Sequence, residues 1–177
     1  ELHGQLWLTP NWLVGADYRQ GIFPSFNTAA VSSVETSTTL YNFDVGYRFF
    51  LQDSFWGPQL TLHSGFTVYN LRIVDQASPF PFRNTLYHGF YLGVAGLVPI
   101  NNARSFVADI DFKKYLFPVL DESPVSSGAA NDPSINTFSL GVSYRMSQHW
   151  WLAGHVIYEL YTSTFTGVGT SGDYGLN

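Results

Sequence analysis

Three side chains whose types together perform acyl transfer lie close in sequence: Ser143, His155 and Glu159. A serine nucleophile, a histidine base and a carboxylate that orients the histidine would suit transfer of an acyl group from lipid. His3, His63 and His155 form a second group, a metal trio by residue type, although they keep no ligand spacing along the chain. Asp109, Asp111 and Lys113 alternate, so an extended segment would place two carboxylates on one face as an acid/base pair. Each group also has a plainer reading. Ser143 and His155 can satisfy each other in a polar interior, and Arg48, Arg145 and Lys113 can act as counter-ions to the aspartates. The plainer readings are the expectation here: no catalytic residue, no metal and no cofactor.

Composition narrows the setting in which these residues work. The chain has 177 residues, 12% charged and 18% aromatic, with no cysteine and a net charge of −5. Soluble domains carry about 25% charged residues, so polar surface is short for an ordinary globule. Absence of cysteine excludes a disulfide scaffold, a Cys-ligated metal and thiol catalysis. The acidic balance, with only two lysines, excludes a nucleic-acid binder that needs a basic face. A spanning helix needs about 20 apolar residues in a row. The best run, Phe90 to Ile100, is shorter and holds Gly93, Gly96 and Pro99.

Alternation with period two predicts eight strands near 2–8, 12–20, 39–50, 59–71, 85–98, 104–115, 137–146 and 151–161. One parity is apolar, as in Tyr41, Phe43, Val45, Tyr47 and Phe49, or Phe138, Leu140, Val142, Tyr144 and Met146. On that face only Arg104 and Lys114 are charged. The other parity carries Glu1, Asp17, Arg19, Asp44, Arg48, Asp109, Asp111, Lys113, Arg145 and Glu159, with His3, His63, His155 and many small residues. A soluble barrel or sandwich would turn the apolar face inward. Bulky aromatics on nearly every strand, opposite charges flanked by Gly and Ser, favour the inverse arrangement of a transmembrane barrel, apolar toward lipid and polar within. Short connections (Thr9 to Asn11, Leu51 to Pro58, Pro99 to Asn102, Gln148 to Trp150) alternate with longer ones near 21–38, 72–84 and 116–136. Trp7, Trp12, Trp56, Trp150 and Trp151 fall at the short turns. Tyr18, Tyr41, Tyr69, Tyr87, Tyr115 and Tyr161 fall toward the long ones. These read as two interfacial girdles.

With its eight strands, alternating short and long connections and the repeated segments GADYR (15–19), DVGYR (44–48) and GVSYR (141–145), the chain resembles the small eight-stranded outer-membrane barrels, among them the membrane domain of outer membrane protein A. The resemblance is one of pattern and carries over no functional residue. It implies an all-β, antiparallel up-and-down transmembrane β-barrel in the envelope of a Gram-negative bacterium, spanning residues 1–162, with 163–177 a loose tail. Two features depart from those barrels. Both ends of the chain lie with the long loops, and the last strand does not end on an aromatic residue, which is the pattern expected if sequence continues beyond the ends.

Pairing across the first turn sets His3 opposite Asp17 and Glu1 opposite Arg19. Pairing across a last turn centred on His149 sets Ser143 opposite His155 and Ser139 opposite Glu159. Eight strands enclose only enough room for side chains, so Asp17, Arg19, Asp44, Arg48, Asp109, Asp111, Lys113, Arg145 and Glu159 are expected to form an interior polar plug. Loop acids Glu35, Asp75, Asp121, Glu122 and Asp132, facing Arg72 and Arg83, suit divalent cations between lipopolysaccharide groups, a basic partner or a soluble rim. Phe23, Phe26, Phe80, Phe82, Phe117 and Leu120 suit a contact surface with another envelope protein or a packed cap. The expected function is a structural anchor, adaptor or subunit of the bacterial outer membrane, in contact with its lipid and lipopolysaccharide. A lipid-modifying enzyme and a narrow solute channel are the alternatives.

Overall fold

The computed structural model describes residues 2–28, 31–54, 57–75, 84–101, 105–123, 126–147 and 150–169. These form β1 (Leu2–Trp7), β2 (Trp12–Thr28), β3 (Val31–Phe50), β4 (Gln59–Asp75), β5 (Asn84–Pro99), β6 (Phe106–Ser123), β7 (Ala129–Arg145) and β8 (Trp151–Thr166). The strands make one antiparallel up-and-down sheet in the order β1 to β8. Each expected strand is present. Among the described residues the ladder does not run on from β8 to β1.

Several strand boundaries lie beyond those expected. The segments 21–38 and 116–136, read as loops, are largely continuations of β2, β3, β6 and β7, and β4 runs on to Asp75, with 76–83 outside the described residues; Thr, Ser and Val support an extended chain there, and the ladders absorb the irregular stretches as register shifts. β8 likewise passes residue 162 and continues through Thr164 to Thr166. The short connections hold their hairpins closed by main-chain bonds: Leu8 N donates to Trp12 O at 3.0 Å, and Met146 N to Trp150 O at 2.9 Å. In the first turn the Thr9 hydroxyl also accepts from Trp12 N at 3.0 Å.

The apolar parity lies on the outer, exposed face: Phe43 is 61% exposed, Phe90 64% and Val156 73%. Side chains of the polar parity instead meet across intervening strands. Arg19 on β2 reaches Glu159 on β8 at 2.6 Å, and Tyr69 on β4 stacks on Tyr161 on β8 with ring centroids 4.8 Å apart. The sheet is therefore curled with its polar face inside. One irregularity interrupts this wall. On β6, Phe117 and Pro118 together oppose Gly89 of β5, a bulge between the pairs His88 with Val119 and Phe90 with Leu116. Proline has no N–H to give to a ladder, and the bulge absorbs it, with Phe117 at φ 50°.

Candidate functional site

The interior of the curl divides into two tiers, and glycines decide where large side chains fit. At the short-turn end lies a chamber of about 260 Å³ lined by His3, Gln5, Leu13, Asp17, Asp44, Arg48, Gln59, Thr61, His63, Ala95, Gly96, Leu97, Asp109, Asp111 and Lys113. His63 on β4 reaches past β5 to Asp111 on β6 at 2.8 Å. It passes over Gly93, where a Cβ would stand 2.4 Å from its Nε2. His155 on β8 reaches past β7 to Asp109 at 3.4 Å, over Gly141, where a Cβ would meet His155 at 2.3 Å and Asp109 at 2.4 Å. Asp44 lies over Gly15 in the same way. His3 is bonded to Asp17, its partner in the β1–β2 register, as the first turn implied. Lys113 Nζ stands 3.7 Å from the other oxygen of Asp111. The Arg48 guanidinium lies 3.5 Å above the Trp7 ring, a cation–π contact.

Above the chamber, toward the long hairpins, stands a tier of tyrosines. Tyr161 contacts both Tyr69 and Tyr87, and Tyr91 contacts Tyr115 at 5.4 Å. Ile135 packs with Tyr91 and Tyr115 in one buried cluster. Under it a chain of hydrogen bonds crosses five strands. The Tyr115 hydroxyl donates to Thr67 Oγ1 at 2.9 Å. Thr67 donates to Asn42 Oδ1 at 2.8 Å, and Asn42 Nδ2 donates to Asp17 Oδ2 at 2.8 Å. Asp17 carries the chain on to His3. Such a network is stiff because each member satisfies the next in a medium of low dielectric.

The sequence-derived site residues are thus mostly inside, some with the partners expected, as His3 with Asp17 and Lys113 with Asp111, and others with different ones. Asp17, Asp44, Arg48, Asp109, Asp111 and Lys113 line one chamber. Arg19 and Glu159 pair with each other in the upper tier, and the Tyr161 hydroxyl donates to Glu159 at 3.3 Å. Arg145 is exposed at the short-turn end. The proposed triad is not assembled. Its register was two residues off: Ser143 pairs with Ala153, Gly141 with His155, Ser139 with Ile157 and Thr137 with Glu159. A three-residue connection between Met146 and Trp150 moves every pair without changing the face. His3, His63 and His155 each have their own aspartate, and among the described residues no three His, Asp or Glu side chains converge in metal-ligating geometry.

The second girdle is corrected as well. Tyr18 and Tyr41 face outward together at 5.2 Å, but Tyr69, Tyr87, Tyr115 and Tyr161 share the parity of His63, Tyr91, Lys113 and Glu159 and point inward. Trp7 is an inner residue too, beneath Arg48. Parity, already visible in the sequence, was the signal that separates these from wall residues. Of the loop residues, Leu120 is buried inside, Phe117 stands out at 94% exposure, and Asp121 lies 3.4 Å from His88. Glu122 accepts from Ser127 at 2.5 Å to N and 2.9 Å to Oγ. Glu1, Trp56, Phe80, Phe82, Arg83, Arg104, Gln148 and His149 lie outside the described residues. For Phe26, Asp75 and Trp151 only the backbone is described. No protein-family model, curated protein or solved structure matches the chain.

Proposed function

We propose that this chain is a β-barrel of the bacterial outer membrane that serves as a structural anchor, adaptor or subunit, with its interior closed to solute flow. The observation that carries the reading is the inverted distribution of side chains: the aromatic and aliphatic residues are on the outside and the charges within. The apolar stretch has the right height. It runs nine residues on β3 (Tyr41 to Phe49) and nine from Phe138 on β7 to Met146 just past its end. At about 3.3 Å per residue and a tilt near 40° that is roughly 23 Å, against about 25 Å for the apolar band of such barrels. In lipid each unsatisfied backbone group costs several kcal/mol, so β1 and β8 are expected to pair with each other or with an added strand once in the membrane. The tyrosine tier and the hydrogen-bonded chain from Tyr115 to His3 support a plugged interior.

The chamber keeps the channel reading as a specific rival, since it holds four aspartates against Arg48 and Lys113 and would favour cations if it were continuous. Reconstitution in planar bilayers separates the two. The plugged barrel gives no steady current, whereas steady cation-selective conductance would replace the anchor with the channel. A folded, monomeric state in buffer without detergent would remove the membrane assignment altogether.

A further inference from the structure

We infer that the outer wall carries a site for the phosphate group of a membrane lipid, on β4, β5 and β6 just above the apolar band; the inference rests on the membrane reading above. An outward cavity of about 330 Å³ is lined by Asn70, Arg72, Asn84, Thr85, Leu86 and Ser123. Its place on the wall follows from the register of these three strands. Val68, His88 and Val119 pair in turn along one outward rung, where His88 marks the change from apolar to polar side chains, as at a membrane interface. The next outward rung up holds Asn70, Leu86 and Asp121; above it Asn84 pairs with Ser123, and Arg72 follows Asn70 on the same face of β4. The rung below the interface is Phe66, Phe90 and Leu116.

Going down the wall, a polar shelf is thus followed by an apolar slope, the order of groups in a phospholipid. Arg72 is exposed, and among the described residues it has no ion-pair partner. Its planar guanidinium suits bidentate phosphate binding, and its long stem allows the charge to reach down toward the interface. Asn84 Oδ1 accepts from Ile73 N at 2.9 Å, which leaves its amide N–H groups as the donors it can offer. Two outward carboxylates lie near: Glu35 on the adjacent β3, one rung above Ser37, which pairs with Arg72, and Asp121 on β6, one rung lower and 3.4 Å from His88 Nε2. Phe117 projects from the bulge between the interface rung and the apolar one, 94% exposed and held at φ 50°. A bulky residue in that conformation is strained, and its placement there gives the lipid's glycerol and upper chain an aromatic contact.

The test is native mass spectrometry of the full chain released from detergent after incubation with phosphatidic acid or with diacylglycerol of the same chains. Phosphatidic acid adducts should dominate, and Arg72→Gln should lower their bound fraction about tenfold, the loss of one charge-assisted bond. Lys114→Gln should leave it unchanged, since that outward cation sits on another rung with its Nζ 3.1 Å from Ser134 Oγ. Equal retention by Arg72→Gln, or equal binding of diacylglycerol, would overturn the site while leaving the barrel intact. A chain that stays folded without detergent would overturn the barrel and the site together.

Discussion

Gly65→Ala tests whether the interior is packed as tightly as the glycine passes imply. Gly65 on β4 faces inward, paired with Asp44 on β3 and Tyr91 on β5. A Cβ there would stand 2.2 Å from the Phe43 carbonyl oxygen, 2.6 Å from the Tyr91 hydroxyl and 2.8 Å from the Tyr91 ring. Since Cβ atoms essentially never come within 3.0 Å of other atoms, the obstructing carbonyl must move by about 0.8 Å. That oxygen belongs to the backbone of the paired strand, and Tyr91 is 0% exposed, so neither neighbour can swing aside. Overpacking typically costs about 1–3 kcal/mol, and an immovable backbone obstacle puts this substitution at the upper end, about 3 kcal/mol.

The control is Gly154→Ala on β8, where nothing lies within 4 Å of the added Cβ; it should change stability by less than about 0.5 kcal/mol. Both are measured as urea midpoints in one detergent, reading the gel shift between folded and unfolded forms. If Gly65→Ala unfolds within about 0.5 kcal/mol of Gly154→Ala, the strand register or the inward position of Tyr91 is wrong.

Tyr91→Phe should be neutral or stabilising by about 1 kcal/mol, since its buried hydroxyl makes no hydrogen bond among the described residues; a loss above 1 kcal/mol in the same urea assay would mean that the hydroxyl is bonded. Val142→Arg places a charge on the apolar outer face beside Leu140 and Tyr144 and should cost about 2–4 kcal/mol in lipid vesicles, while Ser143→Ala on the inner face costs less than 1 kcal/mol. Equal costs would mean the faces are exchanged. Glu159→Gln keeps the shape but removes the charge that Arg19 meets at 2.6 Å; a loss of about 2 kcal/mol is expected in urea titrations, and no loss would place that pair in solvent.

The strands were legible because period two persists wherever a β wall has unlike faces, and eight such segments leave little freedom in an up-and-down order. The first turn was legible to the residue, setting His3 against Asp17. The last was not: Gln148 and His149 contain no Asn-Gly or Asp-Gly signal that fixes a turn type, so its centre was misplaced and the pair Ser143 with His155 came from that error. Tyr69, Tyr87, Tyr115 and Tyr161 were assigned by height along the strand when parity should have ruled. His63 with Asp111 and His155 with Asp109 were out of reach of hairpin pairing, because each skips a strand and depends on a glycine in the strand between.

Those glycines connect wall and interior. In a curled sheet the inward side chains of neighbouring strands compete for the same narrow space. Several of the large inward side chains lie where an adjacent strand gives up its own. Gly15 does this for Asp44, Gly65 for Tyr91, Gly93 for His63, and Gly141 for both Asp109 and His155. Each large residue then leans across its neighbour toward the next strand, so the contacts that fill the interior also tie alternate strands of the wall together. It follows that the interior cannot be opened by removing one group alone. Tyr161→Ala would leave Tyr91, Tyr115 and Ile135 packed against one another and the hydrogen-bonded chain from Tyr115 to His3 intact, because none of these passes through Tyr161. On the reading proposed above, such packing suits a protein whose interior serves its wall, and any pore would have to open by moving several of these side chains together.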